Sequence, residues 1–438
     1  MAGLLPLLIA LTILETAAHG QELGAAGSVF AVLIPWGLLL WWLLCETVGR
    51  VIASHWRTRR ALERWDILAQ ALAIGAFAGL CYGLGWAHRI PGYTAALAPW
   101  MAMMVIHWWC LARPVRAVTG ATWTRSGLLV HHLRFSLLPL MIAWPVLDTF
   151  AWIGNHTVIG PWLMGNFGEA ANIAGAGLMA LGLVALMPWL LVQLWGAQRL
   201  SDPHLIAELD AECKRSGVKV AAIMRWPVRG GRMYNAMVLG VLPRLRYVLF
   251  TDDLLRDFST DERTAVLGHE LGHARHHHLW IYLMFALATG LLSWSARGLL
   301  DGLAQGLPGI ALMSDEVRAG LIALVLLAVQ WRLLFGVLSR ACERQADLAG
   351  AELAGRGDSA AGAVIMQNAL GAVARYAGID PRAPSWRHYS IAERMTFLEQ
   401  VAANHTIATR HHQMVRLAVQ WLAGLTGVLL ALAVPRIL

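Results

Sequence analysis

The sequence predicts a mainly α-helical, polytopic membrane protein of about eight or nine spans, with a small α+β unit set between its membrane helices. Three observations carry this. Of 438 residues, 58% are hydrophobic and 14% charged, whereas soluble domains carry about 25% charged residues. The mean hydropathy is +0.55. Runs of apolar residues long enough to cross a bilayer recur along the chain, and ordinary polar patterning returns at about 197–278 and 339–413.

The apolar runs fall at about 29–48, 67–87, 95–112, 135–154, 176–196, 279–299, 318–338 and 414–434. A shorter run at 4–18 lacks a basic start and a clear small-residue cleavage site, and it reads as a retained span. The net charge of +8 does not point to nucleic acid, because the arginines cluster in short loops. Arg50, Arg57, Arg59, Arg60 and Arg64 follow the 29–48 run, and Arg113, Arg116, Arg125 and Arg134 follow 95–112. The loops at 88–94 and 155–175 carry little positive charge. By the positive-inside rule the arginine-rich loops are cytoplasmic, and counting crossings puts 197–278 and 339–413 on that same side. The 21 tryptophans suit anchoring at the bilayer interface. His107, His131 and His132 lie in or beside spans, where packing or interface roles are expected.

The chain divides into an N-terminal transmembrane region (1–196), a unit at 197–413 interrupted by the 279–299 and 318–338 spans, and a C-terminal membrane helix (414–438). Residues 201–216 read as an amphipathic helix opened by Ser201-Asp202-Pro203. Val218–Trp226 reads as a strand and Gly230-Gly231 as a turn. Arg232–Leu239 and Leu245–Phe250 read as two further strands joined through a Gly240–Arg244 turn containing Pro243. Thr251-Asp252-Asp253 can cap a short helix, and Ser259-x-x-Glu262 is a capping box that opens the next. Beyond the two spans, 352–413 is helical in character with a break at Gly355-Arg356-Gly357-Asp358. The five cysteines have neither zinc-ligand nor disulfide-framework spacing. The triplets at Asn155 and Asn404 match the glycosylation pattern, the second on the side read as cytoplasmic.

The helix opened by that capping box carries His269-Glu270-Leu271-Gly272-His273. Positions i and i+4 share a helix face, so both imidazoles can address one metal ion, with Glu270 one step round beside them. Zinc chemistry needs this layout: neutral imidazole ligands, an open position for water, and a carboxylate to accept the water's proton. A catalytic zinc takes three protein ligands. Glu343 is the best candidate for the third, with Asp347 at i+4 on the same face placed to accept a ligand histidine's free ring N–H. His276, His277 and His278 would crowd the same surface and read as a membrane-interface cluster.

The run from Tyr234 to His278, followed by Ser339-Arg340-Ala341-Cys342-Glu343-Arg344-Gln345-Ala346-Asp347, resembles the membrane zinc metallopeptidases that include the CAAX prenyl proteases and the HtpX-type heat-shock proteases. Their HExxH and ExxxD motifs stand here in order, and the resemblance covers roughly 200–400. It implies a zinc-metallopeptidase unit at the cytoplasmic face, with His269, His273 and Glu343 as ligands, Glu270 as general base and Asp347 behind the ligands. It further implies that Asn235-Ala236 lies on an edge strand able to hold a substrate peptide. His388 and Arg394 match the family's His-Pro-x-x-x-x-Arg element except that Tyr389 replaces the proline. His388 would then stabilise an oxyanion and Arg394 organise the site by charge.

The expectation is therefore an integral-membrane zinc endopeptidase acting on a peptide or protein substrate, membrane-bound or lipidated substrates included, by metal-activated water. Two other readings stay open from sequence: a sensor-type signalling metalloprotease with a cytoplasmic site, and a non-catalytic membrane scaffold that retains the fold. The first lacks an obvious extracellular sensor domain, and the second sits poorly with a full set of catalytic residue types.

Overall fold

The computed structural model describes residues 4–18, 27–90, 92–228, 232–307 and 315–437. They form two compact units, one within 4–168 and 297–325 and the other within 169–228, 232–296 and 326–437. The turn expected at Gly230-Gly231 lies outside the described residues.

The first unit is helical. Its core gathers Leu7, Leu11 and Leu14 with Trp41, Trp65, Phe77, Trp100, Met104 and Trp108. One buried polar tie crosses it: His107 Nε2 lies 2.9 Å from Asp66 Oδ1, and His107 Nδ1 faces Cys45 Sγ at 4.0 Å. Among the described residues four helices are long and apolar enough to cross a membrane: Val29–Ser54, Arg59–Gly83, Ala174–Leu194 and Thr406–Ala433. The pair His278–Ser293 and Gly298–Gln305 makes a fifth if it is one span. The other expected runs are helical but interrupted or more polar. The 95–112 run lies in a continuous helix, Ala98–Thr119, which also carries His107, Arg113 and Arg116. The 135–154 run is cut into a π-helical turn and the short helices Leu138–Met141 and Ala143–His156, with Pro139 and Pro145 near their starts. The 318–338 run is divided between Asp315–Val329 and the π-helical turn Gln330–Phe335.

The second unit holds a four-stranded sheet. Its strands are β1 (Gln198–Arg199), β2 (Ala222–Trp226), β3 (Ala236–Leu239) and β4 (Tyr247–Thr251), in the order β1-β2-β4-β3. β2 pairs with β4 in parallel, while β3 pairs with β4 antiparallel and forms an edge. The strands are shorter than the sequence suggested, and β1 was not foreseen. The helices that follow β1 in the chain include α1 (Pro203–Ser216), α2 (Asp252–Asp257), α3 (Thr260–Arg275), α4 (His278–Gln305), α5 (Gly336–Gly355), α6 (Ser359–Ala377), α7 (Ile391–Ala403) and α8 (Thr406–Ile437). Val248 and Phe250 of β4 are buried with Leu209 of α1 and with Leu267 and Leu271 of α3. The expected capping box is formed: Ser259 Oγ accepts from the Glu262 N–H while the Glu262 carboxylate accepts from the Ser259 N–H. Thr251 does not cap α2 through its side chain. Its hydroxyl instead binds the Asn235 backbone, which closes the β3–β4 ladder at that end.

Candidate metal centre and active site

Small residues bring the two motif helices together. A Cβ added at Gly272 would lie 2.7 Å from Ala349 Cβ and 3.0 Å from Ala346 Cα, and one added at Gly350 would lie 2.7 Å from the Ala265 carbonyl oxygen. α3 and α5 therefore cross almost backbone to backbone, and Glu343 and Asp347 of α5 reach the histidines of α3.

His269, His273 and Glu343 each turn one ligand atom toward a common point, all within 4.8 Å of one another. The two Nε2 atoms are 3.3 Å apart, and each lies 3.7 Å from a Glu343 oxygen. On the far side of the first imidazole, His269 Nδ1 lies 2.9 Å from Asp347 Oδ1. Arg394 grips the same carboxylate through two hydrogen bonds, Nε to Oδ2 at 2.9 Å and Nη2 to Oδ1 at 2.5 Å. Asp347 is fully buried. Burial opposes its charge, yet the Arg394 guanidinium outweighs that and holds the carboxyl below its usual range. An ionised Asp347 only accepts, so His269 keeps a proton on Nδ1, and in the neutral ring that a metal requires Nε2 is the bare nitrogen.

Bare imidazole nitrogen and carboxylate oxygens thus converge in a buried place, an arrangement that repels itself unless a cation joins it. The spacing suits one: four-coordinate bonds of about 2.0–2.2 Å set ligand atoms about 3.3–3.6 Å apart. The residues present therefore fit a small tetrahedral metal ion.

Around this centre the electrostatics divide. Burial would raise Glu343, but the hydrogen bond to His388 and the charges of His269, His273 and Arg394 hold it well below the carboxylate range. Burial holds His273 well below the usual imidazole value, with His269 reinforcing it. Burial also opposes charge on His269, where Asp347 prevails and raises the imidazole. Glu270 goes the other way from Glu343, pushed up by burial.

The remaining sequence candidates gather here too. Asn235 immediately precedes β3 and Ala236 opens it. In an antiparallel pair alternate residues face the partner, so Asn235, Met237 and Leu239 address β4 while Ala236 and Val238 turn their backbone groups outward. The Val238 N–H indeed leaves the sheet and donates to Glu270 Oε2 at 2.9 Å. His388 Nδ1 lies 2.9 Å from Glu343 Oε1, with 42% of its side chain exposed. Tyr389 has φ +61°, a left-handed conformation closed to proline. Its ring lies under the Arg344 and Arg340 guanidinium groups at 4.3 and 5.3 Å. Proline could not occupy this position of the loop behind His388 in this conformation.

Other contacts escaped sequence reasoning. α3 ends at Arg275, His277 takes φ +58°, and α4 starts at once, which returns the His278 ring to His273. The two Nδ1 atoms are 2.8 Å apart, and His278 is 1% exposed rather than part of a surface cluster. The spacing of five residues between His273 and His278 was visible, but only the left-handed break makes it a contact.

Residues 205–402 match the family model described as Peptidase family M48. Protease HtpX of Legionella pneumophila (strain Lens) is 26% identical over 214 residues, covering 48% of this chain and 75% of the relative. A Protease HtpX homolog of Methylibium petroleiphilum is 27% identical over 238 residues, covering 52% and 79%. The solved structure of S. mikatae Ste24p aligns over 89% of this chain and 99% of its own with a TM-score of 0.55, and at 14% identity it speaks for the fold alone. A helical, apolar scaffold and these matches together make the chain an integral-membrane metalloprotease, with a domain of peptidase family M48 over residues 205–402.

Proposed function

We propose that the chain is a zinc-dependent endopeptidase in which His269, His273 and Glu343 hold the ion and Glu270 is the general base. The convergence of His269 Nε2, His273 Nε2 and the Glu343 carboxylate carries this reading. Zinc held there would supply Lewis acidity, acidifying water and polarising a carbonyl. Glu270, made more basic by burial, takes a proton from the attacking water on its carboxylate and passes it to the leaving amine. The Val238 N–H fixes Glu270 Oε2 and leaves Oε1 for the proton. Asp347 keeps His269 in the ligating tautomer, and Arg394 neutralises Asp347. The outward backbone of Ala236, beside Asn235, pairs with an extended substrate segment. His388, half-exposed beside Glu343, reaches the developing oxyanion.

The catalytic domain in this reading is 197–413, interrupted by membrane helices at 279–299 and 318–338. The arginine-rich loops favour the cytoplasmic side for it. The test is cleavage of a peptide library, containing unmodified and prenylated members, by detergent-purified protein with zinc. Cuts that vanish in Glu270→Gln support the assignment, and cuts that persist unchanged overturn it.

A further inference from the structure

The two ligand histidines are held from behind in different ways. His269 leans on a charged carboxylate, whereas His273 leans on His278, and the chain of contacts continues. His278 Nε2 lies 3.1 Å from Gln345 Oε1, and Gln345 Nε2 lies 3.0 Å from His412 Nδ1 near the start of α8. His276 stacks on both end rings, 5.7 Å from His278 and 5.2 Å from His412 by ring centroid. His278 and Gln345 are 1% and 5% exposed, so these polar atoms answer to one another.

We propose that His278, Gln345 and His412 form a one-way hydrogen-bond chain that locks His273 in its metal-binding tautomer, with His278 and Gln345 as positioning residues. This rests on His273 being a ligand. Each link accepts one proton arrangement. If His273 Nε2 is bare, Nδ1–H donates to His278 Nδ1, so His278 carries its proton on Nε2 and donates to Gln345 Oε1. The Gln345 amide N–H then donates to His412 Nδ1. Turning the amide over reverses every link and puts a proton on His273 Nε2, where it blocks the ligand position. Gln345, which offers an acceptor on one side and a donor on the other, therefore sets the polarity. An all-neutral chain does for His273 what a carboxylate does for His269.

The experiment measures the dissociation constant of cobalt(II), by chelator competition and by its visible absorption bands, for the full-length protein in detergent. His273→Ala first tests the ligand assignment: if it binds as tightly as wild type, the metal reading falls and the chain with it. Given loss in His273→Ala, His278→Phe keeps the ring volume and removes the acceptor, and it should weaken binding about 10- to 100-fold. His278→Asn restores an acceptor, because Oδ1 sits where Nδ1 did, and should recover most of that loss. Gln345→Met should weaken binding less than His278→Phe, while Gln345→Glu, still an acceptor for His278 Nε2–H, should bind nearly as wild type. Unchanged affinity in His278→Phe overturns the proposal. A loss that His278→Asn does not rescue also overturns it, since packing alone then explains the residue.

Discussion

Two carboxylate–histidine pairs, one in each compact unit, share a length of 2.9 Å and differ in what lies behind the imidazole. In the first unit Asp66 meets His107 at Nε2, and the other nitrogen faces the thiol of Cys45. In the second unit Asp347 meets His269 at Nδ1, and the other nitrogen faces a second imidazole and a carboxylate. A thiol can share a proton with an imidazole, so the first pair is closed and ties three helices together. The second ends in acceptors that converge with no proton to share. The same pair of residues thus marks a cross-brace in one place and a candidate metal centre in the other. Both imidazoles are largely enclosed, and the hydrogen-bond inventory of the second nitrogen tells them apart.

The largest expected effect separates chemistry from scaffold. Glu270→Gln keeps an acceptor for the Val238 N–H and should retain one metal ion per chain, yet turnover should drop by about 10²- to 10⁴-fold. Metal analysis beside peptide cleavage checks both halves, and normal cleavage would remove Glu270 from the reaction. Next comes the comparison itself. Asp347→Asn should lower metal affinity about 10- to 100-fold, and His107→Phe should leave affinity and cleavage unaltered while lowering stability by about 1–3 kcal/mol. Equal metal loss in both variants would erase the distinction drawn between the pairs.

Acid should weaken the second pair in a defined direction. Asp347 has a depressed folded pKa, so its contribution is present above its unfolded value of about 3.9 and is lost as pH falls through the folded one. Denaturation of metal-free protein at stepped pH should show that loss in wild type and not in Asp347→Asn. Gly272→Val presses on Ala346 and Ala349 and should cost about 1–3 kcal/mol, with metal affinity falling as the helices part. The smallest effect is local. Ser259→Ala removes one half of the capping box and should cost about 1 kcal/mol in thermal unfolding, with kcat per folded molecule unchanged.

Much of this site is legible in sequence because it is written in helical periods. His269 and His273 share a face by spacing alone, Glu343 and Asp347 likewise, and Ser259–Glu262 announces the helix that carries the first pair. The bonds between those helices are not periodic. That α5 lies against α3 depends on Gly272 and Gly350 meeting small partners, which a single sequence shows only as glycines. His278 reads as interfacial from sequence because it would crowd the same helix surface, and its approach to His273 depends on a left-handed His277, a conformation disfavoured for a residue with a Cβ. The Val238 contact to Glu270 is a backbone donor and leaves no mark in residue identity. Thr251 shows the converse: cap chemistry was read correctly as available, and the sheet used the hydroxyl instead. The membrane runs were visible as hydropathy, and Pro139 and Pro145 as breakers, whereas the π-helical turns leave no such mark in residue identity.

One consequence of β3 lying at an edge concerns selection. A strand edge offers amides and carbonyls at fixed intervals and reads the partner's backbone rather than its side chains. Only Ala236 and Val238 face outward, and the Val238 N–H is held by Glu270, so a segment paired here as proposed must be extended beside the Ala236 end of β3. A segment locked in a helix or in its own sheet has no amides to offer. If β3 takes a substrate segment as proposed, susceptibility follows how often a client exposes a short unfolded stretch, so the lifetime of its local opening, more than its sequence, decides whether it is cut.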